Sequence, residues 1–263
     1  MTKWVLRVVV LTYLALILIL PLGFIARRTF AQGVGPVWSA LAAPSAVHAL
    51  TLTAEIALLT VILNAVFGVG AALLVTRHRF RGRRLFDAAL DLPLAVSPVV
   101  VGLAIVLVYG QHSTVGGWLH AHNIDVVFAV PGMVLATVFV SLPLVVREVA
   151  PVLQEIGVEQ EQAAWTLGAS GWQTFRRITL PGIRWALAYG VVLTLARALG
   201  EYGAVAVVSG RVVDQTQTAT LYVEQQFQSF EQLSAYAMAF ALAAFAVAAL
   251  IVATLLRPRE DAR

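Results

Sequence analysis

"QAAWTLGASGWQTFRRITLP", residues 162–181, is an island of amides, hydroxyls and arginines in a chain that is 60% hydrophobic and only 12% charged. A soluble domain carries about 25% charged residues, so this segment has to be explained by where it sits. Its local signals are those of two short helices. Glu159 and Glu161 stand where a helix N-terminus favours negative charge, "EQAAWTL" is a good helix run, and Gly168 is placed as its C-terminal cap. "SGWQ", 170–173, has the capping-box pattern, with Ser170 as N-cap and Gln173 three residues on. A second helix is predicted through "WQTFRRITL", broken at Pro181. The reading is helix–turn–helix; an ordinary amphipathic loop is the competing one.

The sequence on either side is almost entirely apolar. Mean hydropathy is +0.85, and a bilayer core takes about 20 apolar residues per helical span. Candidate spans lie at about 4–26, 52–76, 92–109, 127–146, 185–208 and 234–256, which predicts an all-α polytopic membrane protein with six transmembrane helices. The first, in residues 1–30, starts with Lys3 and Arg7 but stays apolar past Leu20 with no small-x-small site directly after, which favours an uncleaved anchor. With no cysteine in the chain, disulfides and thiol metal sites are excluded. The net charge of +4 reflects arginine-rich loops and not nucleic-acid binding, since no soluble basic domain is present.

Charge sets the expected orientation. With the N-terminus inside, the inner segments hold fourteen basic residues: Lys3, Arg7, Arg77, Arg79, Arg81, Arg83, Arg84, Arg147, Arg176, Arg177, Arg184, Arg257, Arg259 and Arg263. The outer segments hold three, Arg27, Arg28 and Arg211, and Arg197 falls within a span. The positive-inside rule then puts both termini, the 257–263 tail and the 147–184 loop in the cytoplasm. Arg27–Arg28 is the local conflict.

Polar residues inside the spans come next. A charge at mid-membrane costs roughly 2.5–3.5 kcal/mol on insertion scales, and Arg197 and Glu201, four apart, can share that burden by pairing on one helical face. Gly200 and Gly203 beside them would permit close helix approach. Two roles are open to the pair: fixing the packing of the bundle, or holding an arginine that lines an anion path. Pro93 and Pro98 interrupt the third span, and broken backbone at membrane depth is tolerated where protein or a water-filled cavity surrounds it; Ser97 is therefore a pathway candidate. Glu55, near an outer end, is expected to reach water, and Asn64 to make an interhelical hydrogen bond.

Gly168, nine residues, then Ile178-x-Leu180-Pro181, with Ala163–Ala164 upstream, resembles the "EAA…G…I-LP" loop of ABC importer permeases. Glu161, Gln162, Ala163, Ala164, Gly168, Ile178, Leu180 and Pro181 would form the ATPase-coupling loop. The family's glutamate position holds Gln162 here, with Glu161 one residue earlier, which weakens a salt-bridge role at 162. "DLPLAVSPVVVGL" (91–103), "FAVPGMVLAT" (128–137) and "ARALGEYGAVAVVSG" (196–210) resemble the sulfate/molybdate branch. "VVSGRVVDQTQTATLYVE" (207–224) is most similar to the W-type permeases of sulfate/thiosulfate importers. The resemblance implies a type I ABC importer permease fold with cytoplasmic coupling helices over 48–256, in a bacterial inner membrane. It implies two ATPase subunits, a second permease of the T type, and a periplasmic sulfate-binding protein. The chain itself would carry no cofactor and no catalysis; ATP and Mg would sit on the ATPase subunits, and Arg197, Glu201 and Ser97 along the substrate path. Molybdate or tungstate is the alternative cargo.

Other classes fare worse. "GASG", 168–171, matches the G-x-S-G of intramembrane serine proteases, but that chemistry needs a histidine facing the serine inside the bundle. His48, His78, His112, His120 and His122 all fall in or near loops. "HAHNID", 120–125, lacks zinc-type spacing. A transporter or channel needing no ATPase is disfavoured by the coupling-loop resemblance. No G-x-x-x-x-G-K-[ST] occurs, so the chain has no Walker loop of its own.

Overall fold

The structure, a computed structural model, describes residues 2–256; the 257–263 tail with Arg257, Arg259 and Arg263 lies outside the described residues. The described residues form helices, turns and bends, with no strand among them. In chain order the helices are α1 (Lys3–Thr29), α2 (Val34–Leu41), α3 (Pro44–Arg77), α4 (Arg83–Ala95), α5 (Pro98–Tyr109) and α6 (Thr114–Ala121). There follow α7 (Val130–Ile156), α8 (Glu159–Thr166), α9 (Gly171–Leu199), α10 (Val205–Val208), α11 (Ala219–Gln228) and α12 (Gln232–Leu256). Helices α1, α3, α7, α9 and α12 are long and apolar enough to cross a membrane, and α4 and α5 pass the same test only when taken together, as a broken span or a re-entrant loop.

Helix α7 is the axis of the bundle, more than half buried over its span, while the apolar window of α1 is 0% buried and that helix joins the bundle at its far end, where the buried Thr29 donates to Tyr236 O of α12 at 3.1 Å. Two apolar clusters flank it. One joins Leu52 and Ile56 of α3, Val101 of α5, Met133 and Val140 of α7, and Val205 and Val208 of α10. The other joins Val69 and Val75 of α3, Leu90 of α4, Val149 and Leu153 of α7, and Ile183 of α9. Between them glycines bring α3 and α9 close against Val145 of α7. A Cβ on Gly68 would lie 2.8 Å from Val145, and one on Gly190 would lie 3.2 Å from the Cα of the same valine. Lipid tails are as apolar as the side chains, so close packing of small residues drives helix association in a membrane. Asn64 adds a polar tie from α3 to α7, donating to the Ser141 hydroxyl at 2.8 Å and to the Val138 carbonyl at 3.3 Å, in agreement with the sequence expectation.

Three expectations need correction. The third apolar stretch, 92–109, is not one straight span: α4 and α5 meet at 111°. Pro98 disfavours helical backbone at the residue before it, and Ser97 is extended at φ −59°, ψ 134°. The fifth span does not run to 208; α9 stops at Leu199 and a separate short α10 follows. Pro181 does not break its helix. Residues Phe175–Thr179 form a π turn in which the Leu180 N–H reaches back to Phe175 O, and α9 runs on through the proline. The wider turn accommodates the ring that a tight α-turn would press against a carbonyl.

Candidate functional site

The polar stretch folds as its caps dictate. Helix α8 ends in a complete Schellman motif: Ala169 N–H donates to Ala164 O and Gly168 N–H to Trp165 O, both at 3.0 Å. Gly168 is left-handed at φ +83°, a conformation that costs a side-chain-bearing residue about 1–2 kcal/mol. Two residues later Ser170 and Gln173 make a reciprocal capping box at 3.3 and 2.9 Å, which starts α9. The turn exposes Trp165 at 54%, Leu167 at 88% and Trp172 at 68%, an apolar surface on an otherwise polar segment. Gln162, Ala163, Gly168 and Pro181 are exposed as well, whereas Ala164, Ile178 and Leu180 are half-buried.

Glu161 points the other way. Its carboxylate is held by Arg77, the last residue of α3: Nε lies 3.1 Å from Oε2 as an ion pair, and Nη2 donates to Oε1 at 3.3 Å. Thr179, in the π turn of α9, donates to the same Oε1 at 2.8 Å. The guanidinium also closes the end of α7, donating from Nη1 to Leu153 O at 2.9 Å and from Nη2 to Gly157 O at 2.7 Å. Both ionic side chains are about nine-tenths buried. One arginine thus fastens α3, α7, α8 and α9 at a single point. The sequence reading missed it, because Arg77 counted only as an orientation charge. The available signal was a basic residue in the last turn of a long helix, where free carbonyls await a donor.

The second constellation lies at the far end of α9. Arg197 Nη1 contacts Glu201 Oε2 at 2.7 Å, with Arg197 37% exposed and Glu201 only 2%. The pair forms as expected, but across a helix end: Glu201 lies past the end of α9, and its Oε1 accepts the Ala204 N–H at 2.9 Å just before α10. Its carbonyl accepts the Thr220 hydroxyl at 2.9 Å, which ties in α11. Gly203 permits the close approach foreseen, since a Cβ there would lie 3.0 Å from Pro98, whereas Gly200 has no such neighbour. The Ser97–Pro98 break and the 200–204 break therefore abut. Ser97 is exposed at that junction, and its hydroxyl caps nothing. Glu55 is exposed on α3.

The histidine segment makes a different contact: His120 Nδ1 pairs with Asp125 at 2.7 Å on the surface. No group of three or more potential metal ligands occurs among the described residues. Ser170 is the cap described above and has no histidine among its hydrogen-bond partners.

Residues 64–261 match the family described as binding-protein-dependent transport system inner membrane component. The chain belongs to that family. It is 48% identical over 257 residues to the sulfate transport system permease protein CysW of Synechocystis, covering 98% of this chain and 93% of that one. To the CysW of Escherichia coli K12 it is 47% identical, covering 98% and 88%. To the CysT of the same bacterium it is 38% identical over 234 residues, covering 89% and 84%. A solved bacterial ABC transporter for import of the acidic polysaccharide alginate shares the fold, with a TM-score of 0.76 at 17% identity over 97% of this chain and 94% of that one. The permease architecture foreseen from the sequence is therefore this chain's own, with the Arg77 anchor and the Arg197–Glu201 pair at opposite ends of α9.

Proposed function

We propose that this permease is a membrane subunit of an ATP-driven sulfate/thiosulfate importer, forming part of the anion path and coupling it to ATPase subunits through residues 159–181. The observation that carries the reading is the build of that segment. A capped turn presents Trp165, Leu167 and Trp172 outward, while Glu161 locks its inner face to the bundle. A surface of this kind fits a protein groove, and the anchor behind it makes docking mechanically effective. The names of the relatives support the cargo, and the bias of basic residues toward alternate loops supports a cytoplasmic position in a bacterium for both termini and the docking turn.

The assembly proposed has two ATPase subunits that bind ATP and Mg, a sibling permease of the T type, and a periplasmic sulfate-binding protein. ATPase closure moves the docked segments, and the helices follow as rigid bodies. Arg197 is the anion-contacting residue of the path, with Ser97 at the adjoining break. Glu201 moderates the arginine: a lone guanidinium in a low-dielectric setting would hold a divalent anion too firmly to release it, and a paired one offers a weaker site. The test is ATP hydrolysis by the reconstituted complex with binding protein loaded in turn with sulfate, thiosulfate and molybdate. Stimulation by sulfate and thiosulfate is expected; stimulation by molybdate alone would overturn the cargo assignment.

A further inference from the structure

The connection between α3 and α4 concentrates positive charge that no ion pair among the described residues answers. Arg79, Arg81, Arg83 and Arg84 fall within six consecutive positions. Among the described residues none of them forms an ion pair; the arginines that do are Arg77, Arg147, Arg197 and Arg211. The segment is nonetheless an ordered turn. Arg83 N–H closes on Phe80 O at 3.3 Å, and Gly82 sits at φ +91°, ψ 3°, the third position of a type II turn, where glycine is needed. Phe80 packs edge-on against Phe86 with ring centroids 6.1 Å apart, pinning the turn to the first turns of α4. Arg79, Arg81 and Arg84 are left exposed and Arg83 half-buried.

Helix α4 shows what the charges fit. Leu85, Ala88, Ala89 and Leu92 follow at i, i+3, i+4 and i+7, and all four are exposed, Leu85 by 76% and Leu92 by 51%. The helix's carboxylates, Asp87 and Asp91, lie on its other side, in a cleft against Pro143 and Arg147 of α7, where Asp91 pairs with Arg147 at 3.0 Å. An apolar wall therefore begins one residue after Arg84, with guanidiniums at its rim and the acidic groups turned away. A free phosphate would use only the rim, and an acidic protein surface would leave the wall bare. A molecule with an anionic head and an acyl tail uses both.

We propose that residues 79–84 and the Leu85–Leu92 face of α4 bind an anionic phospholipid, the arginines taking the phosphodiester and the α4 face the acyl chain. The proposal rests on the membrane-spanning fold and not on the cargo, so the two fail separately. Each arginine near an anionic surface is worth roughly fivefold in association. The test uses the full chain in phosphatidylcholine nanodiscs, with spin-labelled phosphatidylglycerol or spin-labelled phosphatidylcholine as probe, and reads the motionally restricted fraction. Wild type should prefer phosphatidylglycerol at low salt and lose much of that preference at high salt. R81Q/R84Q should weaken the preference roughly 25-fold, R81K/R84K should largely keep it, and R27Q/R28Q, with the same change in net charge, should leave it intact. Equal preference in R81Q/R84Q and wild type would overturn the proposal. Displacement of the labelled lipid by 10 mM inorganic phosphate would overturn the choice of a lipid over a free anion.

Discussion

Replacing Arg77 by glutamine tests the anchor beneath the docking turn. The guanidinium meets Glu161 through two nitrogens and donates to two carbonyls at the end of α7, with only 12% of its side chain exposed. Removing one partner of a buried ion pair costs about 3–5 kcal/mol, chiefly because the other charge is left unpaired. Thr179 still donates to Glu161 at 2.8 Å, and the site lies at a helix end within reach of water, so the lower value applies. About 3 kcal/mol is a factor of roughly 150 in the ratio of anchored to released segment. Hydrogen exchange of the full chain in nanodiscs reads that ratio directly. Amides in the second half of α8, beginning with Gln162, which bonds to Val158 O at 2.9 Å, should exchange about 100-fold faster in Arg77→Gln. Amides of α7 near Val140 should not change. In the double variant Arg77→Met/Glu161→Leu no charge is stranded, and most of the protection should return. If Arg77→Gln leaves α8 exchange within threefold of wild type, the ion pair does not hold the segment and the reasoning fails.

Other predictions follow from the same geometry. Gly168→Asp should insert normally yet leave the complex's ATP hydrolysis uncoupled from transport, because a left-handed position takes a charged side chain where the docking turn bends; unimpaired uptake would count against docking there. Gly68→Val should cost at least about 1–3 kcal/mol by overpacking against Val145, seen as a lower Tm of the solubilised chain, and an unchanged Tm would contradict the contact. Arg197→Ala should lower sulfate uptake while the complex still assembles, whereas Glu201→Ala should also lower Tm, since it strips the acceptor from the Ala204 N–H; normal uptake by correctly inserted Arg197→Ala would remove that residue from the path. Spin labels at positions 172 and 199, 18 and 9 residues from Gly190, should show the inner end of α9 moving about twice as far as its outer end between nucleotide states, and equal displacements would exclude a pivot at Gly190.

Much of this was legible because caps and bilayer lengths are local rules. Gly168, Ser170 and Gln173 announced a turn between two helices, and the structure has those bonds. Asn64 could be read as an interhelical donor because a buried amide has few other options in a membrane. Pro181 misled, since the rule that proline ends a helix assumes α geometry and the π turn at Phe175–Thr179 escapes it. The extent of the fifth span misled too: "GEYGAVAVV" is apolar enough to continue a span, but Glu201 takes the Ala204 N–H and ends the run. Arg77 was invisible in its true role because its partners are 76 to 84 residues away, and no periodicity reports contacts at that range. Position 162 is clarified by the same anchor. The charge sits at Glu161, facing inward to Arg77, so Gln162 is free to face outward without it.

The polar turn and the Arg197–Glu201 pair are parts of one mechanical element. Helix α9 starts at the Ser170 cap and is unbroken to Leu199. It meets the backbone of α7 closely at Gly190, against the Cα of Val145, whose side chain receives Gly68 of α3 from the other side. From Gly171 to Gly190 is 19 residues, about 28 Å at 1.5 Å per residue, and from Gly190 to Arg197 is 7 residues, about 10 Å. A rod pivoting at Gly190 therefore delivers to Arg197 about one third of any movement imposed at the docking turn. A displacement of about 4 Å at the turn becomes a little over 1 Å at the guanidinium, in the range of the small helix shifts that switch packed bundles. That is enough to take an ion pair at 2.7 Å to the limit of direct contact. The Glu201 N–H still donates to Ala198 O of the rod at 3.2 Å, but its carboxylate and carbonyl are held at the α10–α11 junction by Ala204 and Thr220, so its side chain is not free to follow the rod. The helix end between Arg197 and Glu201, which the sequence hides, is what lets the two charges separate.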